Sequence, residues 1–116
     1  MINLAAGKCV SCRAEELKLL DAEIEELLHH VHRWEVKEVN GMKRPEKVFK
    51  FKNFAQALNF TNKIGAIAEE NGHHPQIITE YGRVTVDWWT HKIGGLHKND
   101  FIMAAKMDQL FDMGFV

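Results

Sequence analysis

Three histidines hold most of the chemistry this chain could perform. His73 and His74 stand side by side before Pro75, and His91 follows further along. Histidine is the side chain best suited to giving and taking protons near neutral pH. Glu69 lies four residues before His73, and a carboxylate beside an imidazole favours its charged form and orients the ring. Glu69 and Glu70 also sit where a helix ends, and acids there oppose the helix dipole. A local rule broken twice beside two histidines points to a further use for those charges. From this cluster alone, a solvated helix end decorated with polar side chains fits equally well.

Such a site needs a rigid frame, and the flanking residues supply one. Asn53 is a good N-cap with Gln56 at the capping-box position three residues on. The helix it opens carries Phe54, Ala57, Leu58, Phe60, Ile64, Ile67 and Ala68 as a broad apolar face. Asn71-Gly72 closes it, because glycine suits the left-handed position after a helix. Pro75 prevents the helix from resuming and drives His74 towards an extended backbone. Two strands follow, over about residues 76–81 and 83–91, joined tightly around Gly82. Val84, Val86 and Trp88 share one face, and Thr85, Asp87, Trp89 and His91 share the other. The start of one hairpin arm neighbours the end of the other, so this hairpin returns His91 towards the His73-His74-Pro75 loop.

Upstream, Leu17, Leu20, Ile24, Leu27, Leu28 and Val31 form a helical stripe whose start falls between about residues 13 and 22. Asp21 could cap a shorter version of that helix. Residues 34–39 and 48–51 flank Asn40-Gly41, a strong hairpin signal. Pro45 cannot donate to a ladder, so pairing near it is expected at an edge or interrupted, and the loop longer than two residues. A last helix, about residues 100–112, would bury Met103, Met107, Leu110 and Phe111. The order helix-hairpin-helix-hairpin-helix predicts an α+β fold: a four-stranded antiparallel sheet with three helices packed on one face. Residues 1–12 read as an irregular N-terminal tail and residues 13–116 as a single domain.

Bulk properties narrow the function. At 116 residues the chain fits one compact domain. Fifteen basic against sixteen acidic side chains leave a formal charge of -1, so no basic field exists to hold nucleic acid or an anionic membrane. Apolar runs are far too short for a membrane span or a secretory leader. The reading is a cytoplasmic protein in which Cys9 and Cys12 are reduced.

The spacing Glu69-x3-His73-His74-Pro75-x5-Tyr81-x9-His91-x8-Asp100 resembles the signature of the pterin-4a-carbinolamine dehydratases. Trp34, the stretch Phe49-Lys50-Phe51-Lys52-Asn53-Phe54 and Asn99-Asp100-Phe101-Ile102 extend the likeness over roughly residues 21–112. The resemblance implies a lyase that dehydrates 4a-hydroxytetrahydrobiopterin to quinonoid dihydropterin, recycling the pterin of aromatic amino-acid hydroxylases. It implies no metal or organic cofactor. His73 and His91 would form the acid/base pair, supported by Glu69. His74, Trp34 and Pro75 would hold the pterin, with Trp34 at the pocket wall. Tyr81 and Asp100 would be supporting residues. The family pattern has Ser or Thr three residues before the aspartate, where this chain has His97, a poor N-cap. Asp100 is therefore read chiefly as a first-turn carboxylate. A homodimer or homotetramer is expected, with a possible functional link to a hydroxylase.

Other constellations carry less. Cys9-Val10-Ser11-Cys12 lacks the second pair a structural zinc needs and the preceding strand a redox motif wants. His29, His30 and His32 fit a helix C-terminus without further purpose. Adjacent histidines rarely point to one ion, which weighs against a metal at His73, His74 and His91. The rival class is a protein-binding or dimerisation-cofactor module, a role that vertebrate members of the family also play.

Overall fold

A four-stranded antiparallel sheet carries the computed structural model, which describes residues 4–6, 19–31, 33–90 and 96–113. Cys9, Cys12, His32 and His91 lie outside the described residues, and so does Leu17. In chain order the elements are α1 (Asp21–Leu28), β1 (Glu35–Val39), β2 (Met42–Lys50), α2 (Phe54–Asn71), β3 (Gln76–Glu80), β4 (Arg83–Asp87) and α3 (Lys98–Asp112). Strand order is β1-β2-β4-β3. This is the α+β arrangement that the hydrophobic periods imply.

Each hairpin closes through local chemistry. Asn40 and Gly41 both take positive φ, 52° and 76°, as a two-residue primed turn requires. Pairing starts at once with Val39 opposite Met42, so the longer loop expected around Pro45 does not form. Pro45 instead sits inside β2 opposite Val36, and its carbonyl accepts from the Trp88 N–H at 3.1 Å. The N and O of one strand residue point the same way. The missing donor therefore faces β4 just past the last pair, Glu46 with Asp87, and leaves the β1 ladder intact.

The core forms where the sheet meets α2 and α3. Phe49, Val84, Val86 and Trp88 from the sheet side are buried with Ala57, Phe60, Ile64 and Ala68 of α2 and Met103, Ala104 and Met107 of α3. Fully burying each large apolar side chain is worth about 1.5–3 kcal/mol. The apolar face of α2 is narrower than its composition suggests: Phe54 and Leu58 stay exposed. They lie at the edge of a stripe whose centre alone meets the sheet. A second cluster joins Ile24 and Leu27 of α1 to Leu96, Phe101, Ile102 and Ala105, with Leu4 of a single 3-10 turn, Leu4–Ala6, completing it. That turn is tied to α3 through Lys106 Nζ, which donates to the Ala5 carbonyl at 2.9 Å.

Helix ends follow partly from sequence. Asn53 Oδ1 accepts from the Gln56 N–H at 2.9 Å, and Gln56 Oε1 accepts from the Lys52 N–H at 3.0 Å. At α1 neither Asp21 nor any hydroxyl caps the helix. Leu20 occupies the cap position, and Glu23 Oε1 accepts its N–H at 2.8 Å. Among the described residues no helix is long and apolar enough to cross a membrane.

Candidate active site

The end of α2 sets His73 in place through its backbone. Gly72 adopts φ 64°, its N–H donates to the Glu69 carbonyl at 3.3 Å, and the His73 N–H donates to the Ala68 carbonyl at 3.2 Å. These two bonds are the Schellman closure, which fixes the residue after the left-handed one as firmly as the helix itself. His73 is buried and stacks on Trp88, with ring centroids 5.7 Å apart and planes 8° from parallel. The Gln76–Asp87 pairing puts the His74-Pro75 segment beside the end of β4, as the hairpin argument requires. His91 itself lies outside the described residues.

The carboxylate that meets His73 is Asp100. Its Oδ1 lies 2.6 Å from His73 Nε2, and its side chain has no solvent exposure. Its Oδ2 accepts from Thr90 Oγ1 at 2.9 Å and from the His97 N–H at 3.0 Å. His97 is the N-cap of α3, and its Nδ1 accepts from the Asn99 N–H at 3.0 Å. Asp100 thus does the first-turn work expected of it, and its second oxygen reaches the histidine. With Asp100 ionised, Nε2 carries the proton and Nδ1 of a neutral ring carries the lone pair.

Glu69 goes to the other histidine. Its Oε1 lies 2.5 Å from His74 Nε2, and both side chains are largely exposed. The left-handed turn at Gly72 swings the chain so that His74, not His73, comes back over Glu69. An exposed pair of this kind stabilises little but orients the His74 ring. Pro75 is half-buried and leads into β3.

Two expected site residues are not gathered here. Trp34 is buried in the core cluster that also holds Trp88. Its Nε1 donates to Asp108 Oδ1 at 2.9 Å, an oxygen that also takes Lys47 Nζ at 2.6 Å. Asp108 is two turns along α3 from Asp100, about 12 Å at 1.5 Å per residue. Tyr81 is 75% exposed at the tip of the β3–β4 hairpin, about 20 Å of strand from Pro75. Thr90 and Trp88 were not singled out by sequence as parts of the site. The signal was present: Thr90 continues the core-facing parity of Val84, Val86 and Trp88, and a buried hydroxyl needs a partner.

On the other face of the sheet, Asp87 of β4 lies directly opposite Glu46 of β2. Burial, then a hydrogen bond and charge repulsion from Glu46, push the Asp87 carboxyl up to about 7, against the opposing pull of Arg44. The Arg44 guanidinium lies 4.0 Å over the Trp89 ring. Among the described residues no group of three or more His, Cys, Asp or Glu side chains is placed to hold a metal ion.

A buried His–Asp pair, stacked on one face and held by an oriented carboxylate, can take up or deliver a proton. Comparison with known proteins attaches the chain to a family. Residues 17–110 match the family model described as Pterin 4 alpha carbinolamine dehydratase. Two relatives carry the name "Putative pterin-4-alpha-carbinolamine dehydratase". The one from Nitrosococcus oceani is 59% identical over 110 residues, covering 95% of this chain and 97% of its own. The one from Marinobacter nauticus is 52% identical over 111 residues, covering 96% and 100%. Among solved structures, a transcriptional coactivator/pterin dehydratase from Brucella melitensis is 33% identical with a TM-score of 0.72, covering 80% of this chain and 97% of that one. A pterin dehydratase-like protein identified as a RuBisCO assembly factor in the alpha-carboxysome is 26% identical with a TM-score of 0.57, covering 68% and 89%.

Proposed function

The chain belongs to the pterin-4a-carbinolamine dehydratase family, and from that membership we propose that it catalyses the family's dehydration. The substrate would be a 4a-hydroxytetrahydropterin and the products quinonoid dihydropterin and water. The observation that carries the reading is the buried His73–Asp100 pair at 2.6 Å, built within the histidine motif itself.

The chemistry needs two proton movements. Hydroxide is a poor leaving group at neutral pH, so the departing oxygen takes a proton as its bond to carbon breaks. The adjacent ring N–H gives up a proton, and its electron pair forms the new C=N double bond. His73, with Asp100 on Nε2, would use Nδ1 for one of these transfers, and His91 would serve the other. His74, oriented by Glu69, would contact the pterin together with Pro75. The reading extends to a homo-oligomer in the cytoplasm that recycles pterin for an aromatic amino-acid hydroxylase.

The test is spectroscopic dehydration of a 4a-hydroxytetrahydropterin by the whole chain. Wild type should accelerate it, while His73→Ala and His91→Ala should each lose about a hundredfold or more with secondary structure intact. Full activity in both variants would sink the acid/base assignment, and no acceleration by wild type would sink the enzyme. The RuBisCO assembly factor shows that a related fold can serve protein assembly, and that outcome would then favour a binding role.

A further inference from the structure

Thr90 is 4% exposed and stands just past β4, on the parity that faces the helices. Its hydroxyl reaches Asp100 Oδ2 at 2.9 Å, so three donors from three parts of the chain converge on one buried carboxylate. His73 arrives from the α2–β3 loop, Thr90 from the end of the second hairpin, and the His97 N–H from the cap of α3. The torsion that rotates a carboxylate about its last bond is broad and weakly held. The His97 N–H belongs to the same helix as Asp100 and moves with it. Thr90 is the donor that refers the carboxylate to the sheet, where Trp88 holds the face of the His73 ring.

We propose that Thr90 is a positioning residue for the dehydration: its hydroxyl fixes the plane of the Asp100 carboxylate, which holds Nε2 of His73 and so aims Nδ1 at the substrate. This rests on the reading in which His73 moves a proton. Without the hydroxyl, Oδ2 keeps only the His97 N–H, and the carboxylate loses its tie to the strand end, leaving its plane set by the helix cap and by the His73 ring it is meant to hold. The His73 ring then loses alignment while its backbone, held by the Schellman closure, stays where it is. The loss falls on the chemical step and not on substrate binding.

The comparison is Thr90→Val, which keeps the shape and removes the hydroxyl, against Thr90→Ser, which keeps the hydroxyl. Two readouts are taken on the whole chain. One is dehydration of a 4a-hydroxytetrahydropterin, and the other is the low-field proton NMR signal of the His73 ring N–H, identified by its loss in His73→Ala. Thr90→Val should lower kcat by about tenfold to a hundredfold with KM within about threefold, the cost of one bond to a charged group. The low-field signal should broaden or disappear. Thr90→Ser should restore both within about threefold. Wild-type kcat and signal in Thr90→Val would overturn the proposal, as would an equal loss in Thr90→Ser. If Thr90→Val fails to fold, Thr90→Ser against Thr90→Ala makes the same comparison. If wild type lacks dehydratase activity, the functional reading fails alone, and the NMR signal still decides whether Thr90 holds the Asp100–His73 bond.

Discussion

Replacing Asp100 by Asn separates what the charge does from what the shape does. The side chain is fully buried with donors on both oxygens. Asn keeps the outline but has only one acceptor oxygen. If that oxygen replaces Oδ2, Thr90 and the His97 N–H both stay satisfied, and the new Nδ2–H faces His73 Nε2. If it replaces Oδ1, the amide nitrogen meets the His97 N–H, and a buried backbone donor left unpaired costs about 1–3 kcal/mol. The first orientation wins because it keeps two bonds for one. Nε2 must then become the acceptor, and the ring proton moves to Nδ1, the position that would meet the substrate in the proposed reaction. The predicted stability cost is modest, about 1 kcal/mol for exchanging a charge-assisted bond for a neutral one. The predicted catalytic cost is much larger, a fall in kcat/KM of about 10²–10⁴ for a general acid/base presented in the wrong tautomer. The assay is spectroscopic dehydration, paired with thermal unfolding and with nitrogen-15 shifts of the His73 ring. Activity within about threefold of wild type, in a folded Asp100→Asn protein, would refute the assignment of Asp100 as the group that sets His73.

Three further perturbations test other parts of the structure. Trp34→Phe removes the bond to Asp108 but leaves Lys47 there; denaturant unfolding should show a loss of about 1–2 kcal/mol, and KM should stay unchanged. A large rise in KM would return Trp34 to the pterin pocket. Gly72→Ala puts a Cβ on a residue at φ 64° and should cost about 1–2 kcal/mol in denaturant unfolding; an unchanged midpoint would contradict the Schellman closure. Asp87, raised to about 7 from 3.8, binds its proton more tightly in the fold than in the open chain. Its contribution is therefore fully present below pH 3.8, and it is lost as pH rises through about 7. Asp87→Asn should flatten that part of the unfolding-midpoint profile, and identical slopes in both proteins would show that Asp87 is not the group responsible.

The parts of the fold legible in sequence are those whose causes lie within a few residues. Asn53 with Gln56, Asn40-Gly41 and Asn71-Gly72 each act on backbone groups two to five positions away, and each does so in the structure. The start of α1 was not legible, because its cap position holds Leu20 and the stabilising carboxylate comes from Glu23. Pro45 marked the interrupted edge of the ladder but misled about the length of the loop. A proline forbids donation in one direction only, and which neighbour lies in that direction depends on the strand order. Glu69 shows the same limit: four residues from His73 in sequence, it meets His74 because a single left-handed residue redirects the chain.

Asp100 marks where local reasoning stops, and why. Sequence rules assign a first-turn acid to its own helix, and that assignment is correct for one of its two oxygens. A carboxylate with no solvent exposure cannot leave the second oxygen unfilled without a cost of kcal/mol size. Complete burial therefore obliges a distant donor to be present, although it does not name one. The name comes from topology: β4 beside β3 brings the end of α2, 27 residues away, against the first turn of α3. His73 is the donor available there. The first-turn acid and the partner of the histidine are one residue because a buried carboxylate has two oxygens to satisfy, and the cap fills only one of them.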